Sequence, residues 1–193
     1  MYKLCKTEQS AARQRQLEAG LLEAMRTERY EDISISDLCA HMQIPRKSFY
    51  RYFSSKDGAL HALLDHTLME FEGFATLTGN GAQRTLVSDL ESFFAFWLNH
   101  RELLTVLDKS NLSGILIERA ITHSLQETVM PSRFLPDDSK EMQKQITIFG
   151  VCGLMSMVLI WHHEGYQKTP GEMAAVAARM MGQPLFPNAE KYM

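Results

Sequence analysis

The sequence predicts an all-α protein of about nine helices. Three observations carry that expectation. Apolar residues recur three and four positions apart over most of the chain, and no run alternates apolar with polar side chains as a half-buried strand would. Of the 193 residues, 45% are apolar, enough to bury a continuous core without disulfides or metals as staples.

Taken in order, Leu17, Leu21, Leu22 and Met25 share one face of a first helix over about 7–26, with Arg13, Arg15 and Glu18 on its other faces. A polar stretch at 27–32 ends it, with Tyr30 turned inward. Ser34 then stands where a side-chain oxygen caps a second helix over 35–42, which packs Leu38 and Cys39. Gln43 and Ile44 make a turn with Ile44 plugging the corner, and Pro45 opens a third helix at the position where a missing amide hydrogen costs least. Phe49 and Phe53, four apart, face the core. Arg46, Lys47, Ser48, Tyr50, Arg51 and Tyr52 remain on the open sides.

Ser54 or Ser55 caps a fourth helix running to about residue 76, with Asp57 in its first turn favoured by the helix dipole. The segment TGNG at 78–81 is the clearest break. Beyond it the pattern predicts helices over 83–99, 112–130, 139–164 and 170–181, a short turn over 100–107, and a loop over 130–139 flanked by prolines.

Charge is unevenly placed. Residues 1–64 carry ten Lys/Arg against eight Asp/Glu, and the remainder ten against fifteen, within a chain of net charge −3. From Ile44 to Lys56 there are four positive side chains and no acid. Two short helices joined by a tight turn, the second cationic and bearing tyrosines, have the shape and chemistry of a helix-turn-helix that reads the major groove. Arg46 and Lys47 are suited to guanine acceptors, Ser48 to a base or a phosphate and Lys56 to a phosphate, while Tyr50 and Tyr52 offer hydroxyls on rigid rings. An exposed basic face on an ordinary helical bundle has the same composition.

The stretch from Ser34 to Leu60 resembles the N-terminal DNA-binding region of the TetR family of bacterial transcriptional regulators. The run Phe49, Tyr50, Arg51, Tyr52, Phe53, Ser54, Ser55, Lys56, Asp57, with Leu60, is similar to that family's aromatic-rich pattern ending in Phe, two linking residues, Lys and an acid. The resemblance implies a DNA-binding domain over 1–54 and a larger ligand-binding and dimerisation domain over 55–193. It implies a homodimer that holds double-stranded DNA at a near-palindromic operator and is released by a small-molecule effector, acting as a repressor.

The expected DNA-binding set is Ser34, Arg46, Lys47, Ser48, Tyr50, Tyr52 and Lys56. By the resemblance, Tyr50, Tyr52 and Lys56 hold phosphates while Arg46, Lys47 and Ser48 approach bases. The chain departs from the family pattern where Gln43 replaces a usual Gly, where Lys47 replaces a small residue, and where Tyr52 stands for a frequent His. A side chain at 43 must tolerate a left-handed backbone, at a cost of about 1 kcal/mol.

In the larger part, Gly150 and Gly153 in an otherwise apolar helix permit close approach of another helix, as a dimer would need; complete burial within one subunit also suits an all-apolar helix. Phe93, Phe94, Phe96, Trp97, Met155, Met157 and Trp161 suit either an apolar pocket or plain core, and Phe93, Phe94, Trp97, Met155 and Trp161 are the expected ligand-contacting set. Cys5, Cys39 and Cys152 have no short spacing and read as reduced thiols in a cytoplasm. The apolar run over 146–161 falls short of a bilayer span, so no membrane partner is expected.

His162 and His163 point to different faces of a helix, and HEG at 163–165 lacks the second His of a zinc protease motif, so no metal is expected. The TGNG segment has neither a P-loop lysine nor dinucleotide spacing, and no nucleophile–base pair is visible, so neither a cofactor nor an enzymatic activity is expected. The competing reading is a helical protein-interaction adaptor that keeps the fold without sequence-specific DNA binding.

Overall fold

Thr7 starts the first helix by reciprocal capping: its hydroxyl accepts from the Ser10 amide at 3.2 Å while the Ser10 hydroxyl accepts from the Thr7 amide at 3.3 Å. The computed structural model describes residues 2, 3, 5, 7–77, 85–126 and 139–183. Among them are nine α-helices and a single-turn 3-10 helix, Tyr30–Asp32, and the only sheet-like feature is an isolated bridge between Tyr2 and Phe53. The chain divides into two compact units. One comprises Met1–Met69 with Glu102–His123, the other Glu70–Arg101 with Ser124–Met193.

In the first unit, α1 (Glu8–Thr27) buries Leu17, Leu21 and Met25 completely, matching the expected face. Gly20 lies where a Cβ would sit 2.4 Å from the Met42 sulfur, so a hydrogen there lets α1 approach the end of α2 (Ile35–His41). The helix α3 (Arg46–Tyr50) is short and begins one residue later than the sequence implies. Pro45 is extended (φ −65, ψ 140) and occupies the cap position, its carbonyl accepting from the Ser48 amide at 2.8 Å. The long helix α4 (Lys56–Leu77) is capped by Ser55, whose hydroxyl accepts from the Gly58 amide at 3.1 Å.

The chain over 100–107 is not the short turn expected from sequence. Only His100 turns, and Arg101–Lys109 forms α6, burying Leu103, Leu104, Val106 and Leu107. Four apolar residues within five positions fall on one side of a helix, with Glu102 at its positive end and Lys109 at its negative end, and burial of that side outweighs the polar ends. Helix α7 (Ser113–Gln126) contributes its residues as far as His123 to this unit. The break at 78–81, the last residues of the helix expected over 112–130, and the 130–139 loop apart from Ser139 lie outside the described residues.

The second unit holds α5 (Leu86–Asn99), α8 (Lys140–His163) and α9 (Pro170–Gly182). Helix α9 packs on α5 through small residues three apart: Gly171, Ala174 and Ala177, the two alanines fully buried. A Cβ on Gly171 would meet the Glu91 carboxylate of α5 at 3.3 Å. Phe94 and Trp161 meet edge to face at 5.7 Å, and the Trp161 indole donates to the Lys168 carbonyl at 2.9 Å. Helix α8 is 24 residues, long and apolar enough to cross a membrane by length and composition. It is not covered all round: it buries Thr147, Met155, Val158 and Trp161 but leaves Phe149 67% and Ile160 57% exposed.

Candidate nucleic-acid interface

The position of α3 is set from beneath by Phe49 and Phe53, both fully buried and 5.3 Å apart between ring centres. The turn before it is closed by two backbone bonds, Gln43 N–H to the Ala40 carbonyl at 3.1 Å and Ile44 N–H to the Cys39 carbonyl at 2.9 Å. Gln43 itself is left-handed, with φ 54, as expected for a residue standing where glycine is usual. Ser34 caps α2, its hydroxyl accepting from the Asp37 amide at 3.1 Å and donating to the Asp37 carboxylate at 2.5 Å.

From this support the side chains diverge. Arg46, Lys47, Tyr50 and Arg51 are exposed and Ser48 half-buried. Tyr50 stands edge-on to Phe49 at 5.8 Å and is 42% exposed. Tyr52 is only 9% exposed, its ring against Phe53 and its carbonyl accepting from the Lys3 amide at 3.0 Å. Lys56 points inward. Its ammonium donates to the carbonyls of Tyr30 and Ile33 and lies 4.3 Å from the Tyr30 ring centre, clamping the connector between α1 and α2. The structure therefore displays Arg46, Lys47 and Tyr50 together and sets Lys56 apart from them.

No carboxylate pairs with Arg46, Lys47 or Arg51 among the described residues, whereas Arg26 pairs with Glu23 and Glu102, Arg29 with Glu31, and Arg119 with Asp65. Burial pushes the Cys39 thiol upward, and the neighbouring Arg46 guanidinium opposes that push. Beside α3, an open groove of about 550 Å³ runs toward the first turns of α1, lined by Arg13, Gln16, Ser48, Arg51 and Tyr52 among others. Sequence spacing within α1 gave no sign of this juxtaposition, because the contact joins residues about forty positions apart and only tertiary packing creates it.

A polar network braces this face from behind. Glu18 of α1, 1% exposed, takes the His66 Nδ1 of α4 at 2.9 and 3.0 Å. The Tyr2 hydroxyl donates to the Asp65 carboxylate at 2.8 Å, and Asp65 also receives Arg119 of α7 through two guanidinium nitrogens. Burial first, then the Asp65 hydrogen bond, push the Tyr2 phenol to about 12. The Tyr30 hydroxyl likewise donates to Asp57 at 2.6 Å. Tyr30 and Asp57 are marked in the sequence by position, but the pairing of Glu18 with His66 and of Tyr2 and Arg119 with Asp65 is not, since each joins residues far apart in the chain.

The expected ligand set lies within the second unit. Phe94, Trp97, Met155 and Trp161 are all at most 2% exposed, and Phe93 packs edge-on against Phe94 and Trp97 at 5.3 and 6.5 Å. The Trp97 indole N–H is buried with no acceptor among the described residues. Among the described residues no cluster of His, Cys, Asp or Glu is placed to hold a metal.

No protein-family model matches the chain, and no curated protein matches it significantly in sequence. Among solved structures the fold is similar to a TetR-family transcriptional regulator from Streptomyces coelicolor, with TM-score 0.57 and 17% identity over 87% of this chain and 80% of that one. It is similar to the dihydroxyacetone kinase operon activator DhaS, with TM-score 0.55 and 13% identity over 88% and 93%. It is also similar to the TetR family repressor AlkX from Dietzia sp. strain DQ12-45-1b, implicated in biodegradation of n-alkanes, with TM-score 0.53 and 10% identity over 88% and 93%. The all-α fold of TetR-family regulators is thus the fold of this chain.

Proposed function

We propose that the protein is a DNA-binding transcriptional regulator that acts as a cytoplasmic homodimer and responds to a small molecule, with residues 1–54 reading DNA and 55–193 holding the ligand and the partner copy. The observation that carries the reading is the unpaired cationic face on α3, held in place by Phe49 and Phe53. Arg46 and Lys47 approach base edges; Ser34, Ser48, Tyr50 and Tyr52 grip or border the phosphate backbone, and Lys56 holds the connector that presents them. The similar structures include an activator and a repressor, and we favour repression by promoter occupancy.

The same reading places the effector among Phe93, Phe94, Trp97, Met155 and Trp161. A buried donor without an acceptor costs about 1–3 kcal/mol, so a ligand oxygen meeting the Trp97 N–H gains that much in its favour. Helix α4 belongs to both units and is the element through which ligand occupancy reaches the DNA-reading end. An inducer must bind free protein more tightly than the DNA complex, by the coupling free energy of about 1–3 kcal/mol.

The test is a gel shift on the protein's own upstream DNA against unrelated duplex at several salt concentrations. A regulator prefers the former and weakens with a log–log slope near −0.9 per phosphate neutralised. Equal binding to both duplexes, or none, would rule the reading out in favour of an adaptor.

A further inference from the structure

We propose that Arg13 of α1 and Arg51 at the end of α3 clamp one backbone phosphate of duplex DNA in the groove between the two helices, a contact additional to those of α3 itself. The inference rests on the DNA-binding reading above. The groove, about 550 Å³ and open to solvent, is lined by Arg13 and Arg51 together with Gln16, Ser48 and Tyr52, and by no acid among the described residues. Arg13 donates to the neutral Gln16 carboxamide at 2.8 Å, which orients the guanidinium without neutralising it. Two like charges lining one groove repel each other until an anion enters, and a phosphodiester offers the planar oxygen pair that a guanidinium grips bidentately.

Placement selects the backbone over a free anion. A helix with its side chains is about 10–12 Å across and the major groove about 12 Å wide, so when the Arg46 side of α3 meets base edges its flanks meet the groove walls. Ser48 and Arg51 line the side of α3 that shares its groove with α1. At the start of α1 the Thr7 and Ser10 amides are each taken up by the other residue's hydroxyl.

The experiment measures affinity for a mixed-sequence duplex across salt concentrations, for wild type and for Arg13→Gln with Arg51→Gln. Non-specific duplex suffices because the phosphate term is independent of sequence. The double variant is expected to lose about 0.9 per clamped phosphate from the magnitude of the salt slope, about 1.8 for a dimer that seats both heads, so its deficit relative to wild type shrinks about 12-fold between about 50 and about 200 mM salt. Arg13→Lys with Arg51→Lys restores the slope, and Arg179→Gln, an exposed cation of the second unit, leaves it at the wild-type value.

A wild type that binds DNA alongside a folded double variant of unchanged slope overturns the clamp and leaves the DNA-binding reading standing. An equal loss in Arg179→Gln also overturns it, as a general charge effect. Stabilisation of wild type but not the double variant by inorganic phosphate, at matched ionic strength and without a slope change, assigns the groove to a free anion instead. A wild type that binds no duplex removes the reading and the clamp together.

Discussion

Lys56 shows how one residue type serves two structural ends that sequence cannot separate. A lysine beside a basic helix suits a phosphate, yet its ammonium lies among the carbonyls of the Tyr30–Ile33 connector, where three donors find acceptors at once. Lys56→Met keeps the alkyl stem and removes the donors. The expected loss in urea unfolding is about 1–3 kcal/mol, toward the lower end because the group is partly exposed. Unchanged stability with weakened DNA binding would return Lys56 to the phosphate role.

Tyr2 carries a pH prediction at the same scale. The unfolded phenol ionises near 10.0, whereas burial and the Asp65 carboxylate raise it to about 12 in the folded chain. The folded state keeps the proton through that interval, so this contribution to stability is whole below pH 10.0 and is lost as pH rises toward about 12. Tyr30 and Tyr166 are raised as well, so the comparison with Tyr2→Phe isolates this residue. The gap between wild type and Tyr2→Phe in unfolding free energy should narrow across that range; a constant gap would place the hydrogen bond elsewhere.

Among the elements, those with a strong apolar period were legible and those defined by partners were not. Leu17, Leu21 and Met25 declare α1, and Phe49 with Phe53 declares the buried side of α3. Thr169 and Pro170 likewise mark the start of α9, where the Thr169 hydroxyl accepts from the Glu172 amide at 3.3 Å. Helix α6 was missed although Leu103, Leu104, Val106 and Leu107 carry the right spacing, because nine residues between polar ends resemble a linker until another helix covers them. The groove beside α3 was illegible for a related reason: its two arginines belong to separate elements.

The α2–α3 turn gives the prediction proper to this scale. Gln43 holds φ 54 at a cost of about 1 kcal/mol, against which glycine adds unfolded-state entropy of similar size. Gln43→Gly should therefore change stability by less than about 1 kcal/mol, whereas a β-branched Gln43→Val, for which that conformation is far more strained, should destabilise by more than Gly does. Equal denaturation midpoints for Gly and Val would show that the turn relaxes and that its left-handed residue does not hold the angle between α2 and α3.

For the molecule as a whole, the decisive question is what covers α8. Phe149, Gly153, Ser156 and Ile160 recur at spacings of four, three and four along one exposed side, and a Cβ on Gly153 would meet nothing within 4 Å. Val176, Met180 and Met181 of α9 are exposed in the same unit. A lipid-spanning helix would be apolar toward every side that lipid touches, but here the opposite side packs Met155, Val158 and Trp161 into protein, which leaves a stripe rather than a cylinder. A stripe with small residues at its centre matches a second helix, so a second copy of this chain is the occupant we expect. Phe149→Glu with Ile160→Glu places two carboxylates in that seam while leaving the buried side of α8 untouched. In sedimentation the variant should run as a folded monomer where wild type runs as a dimer. On the dimeric DNA-binding reading proposed above, preference for a near-palindrome should fall toward that of a single half-site, since two recognition helices about 34 Å apart would no longer act together. A dimer that survives both substitutions would move the interface off α8.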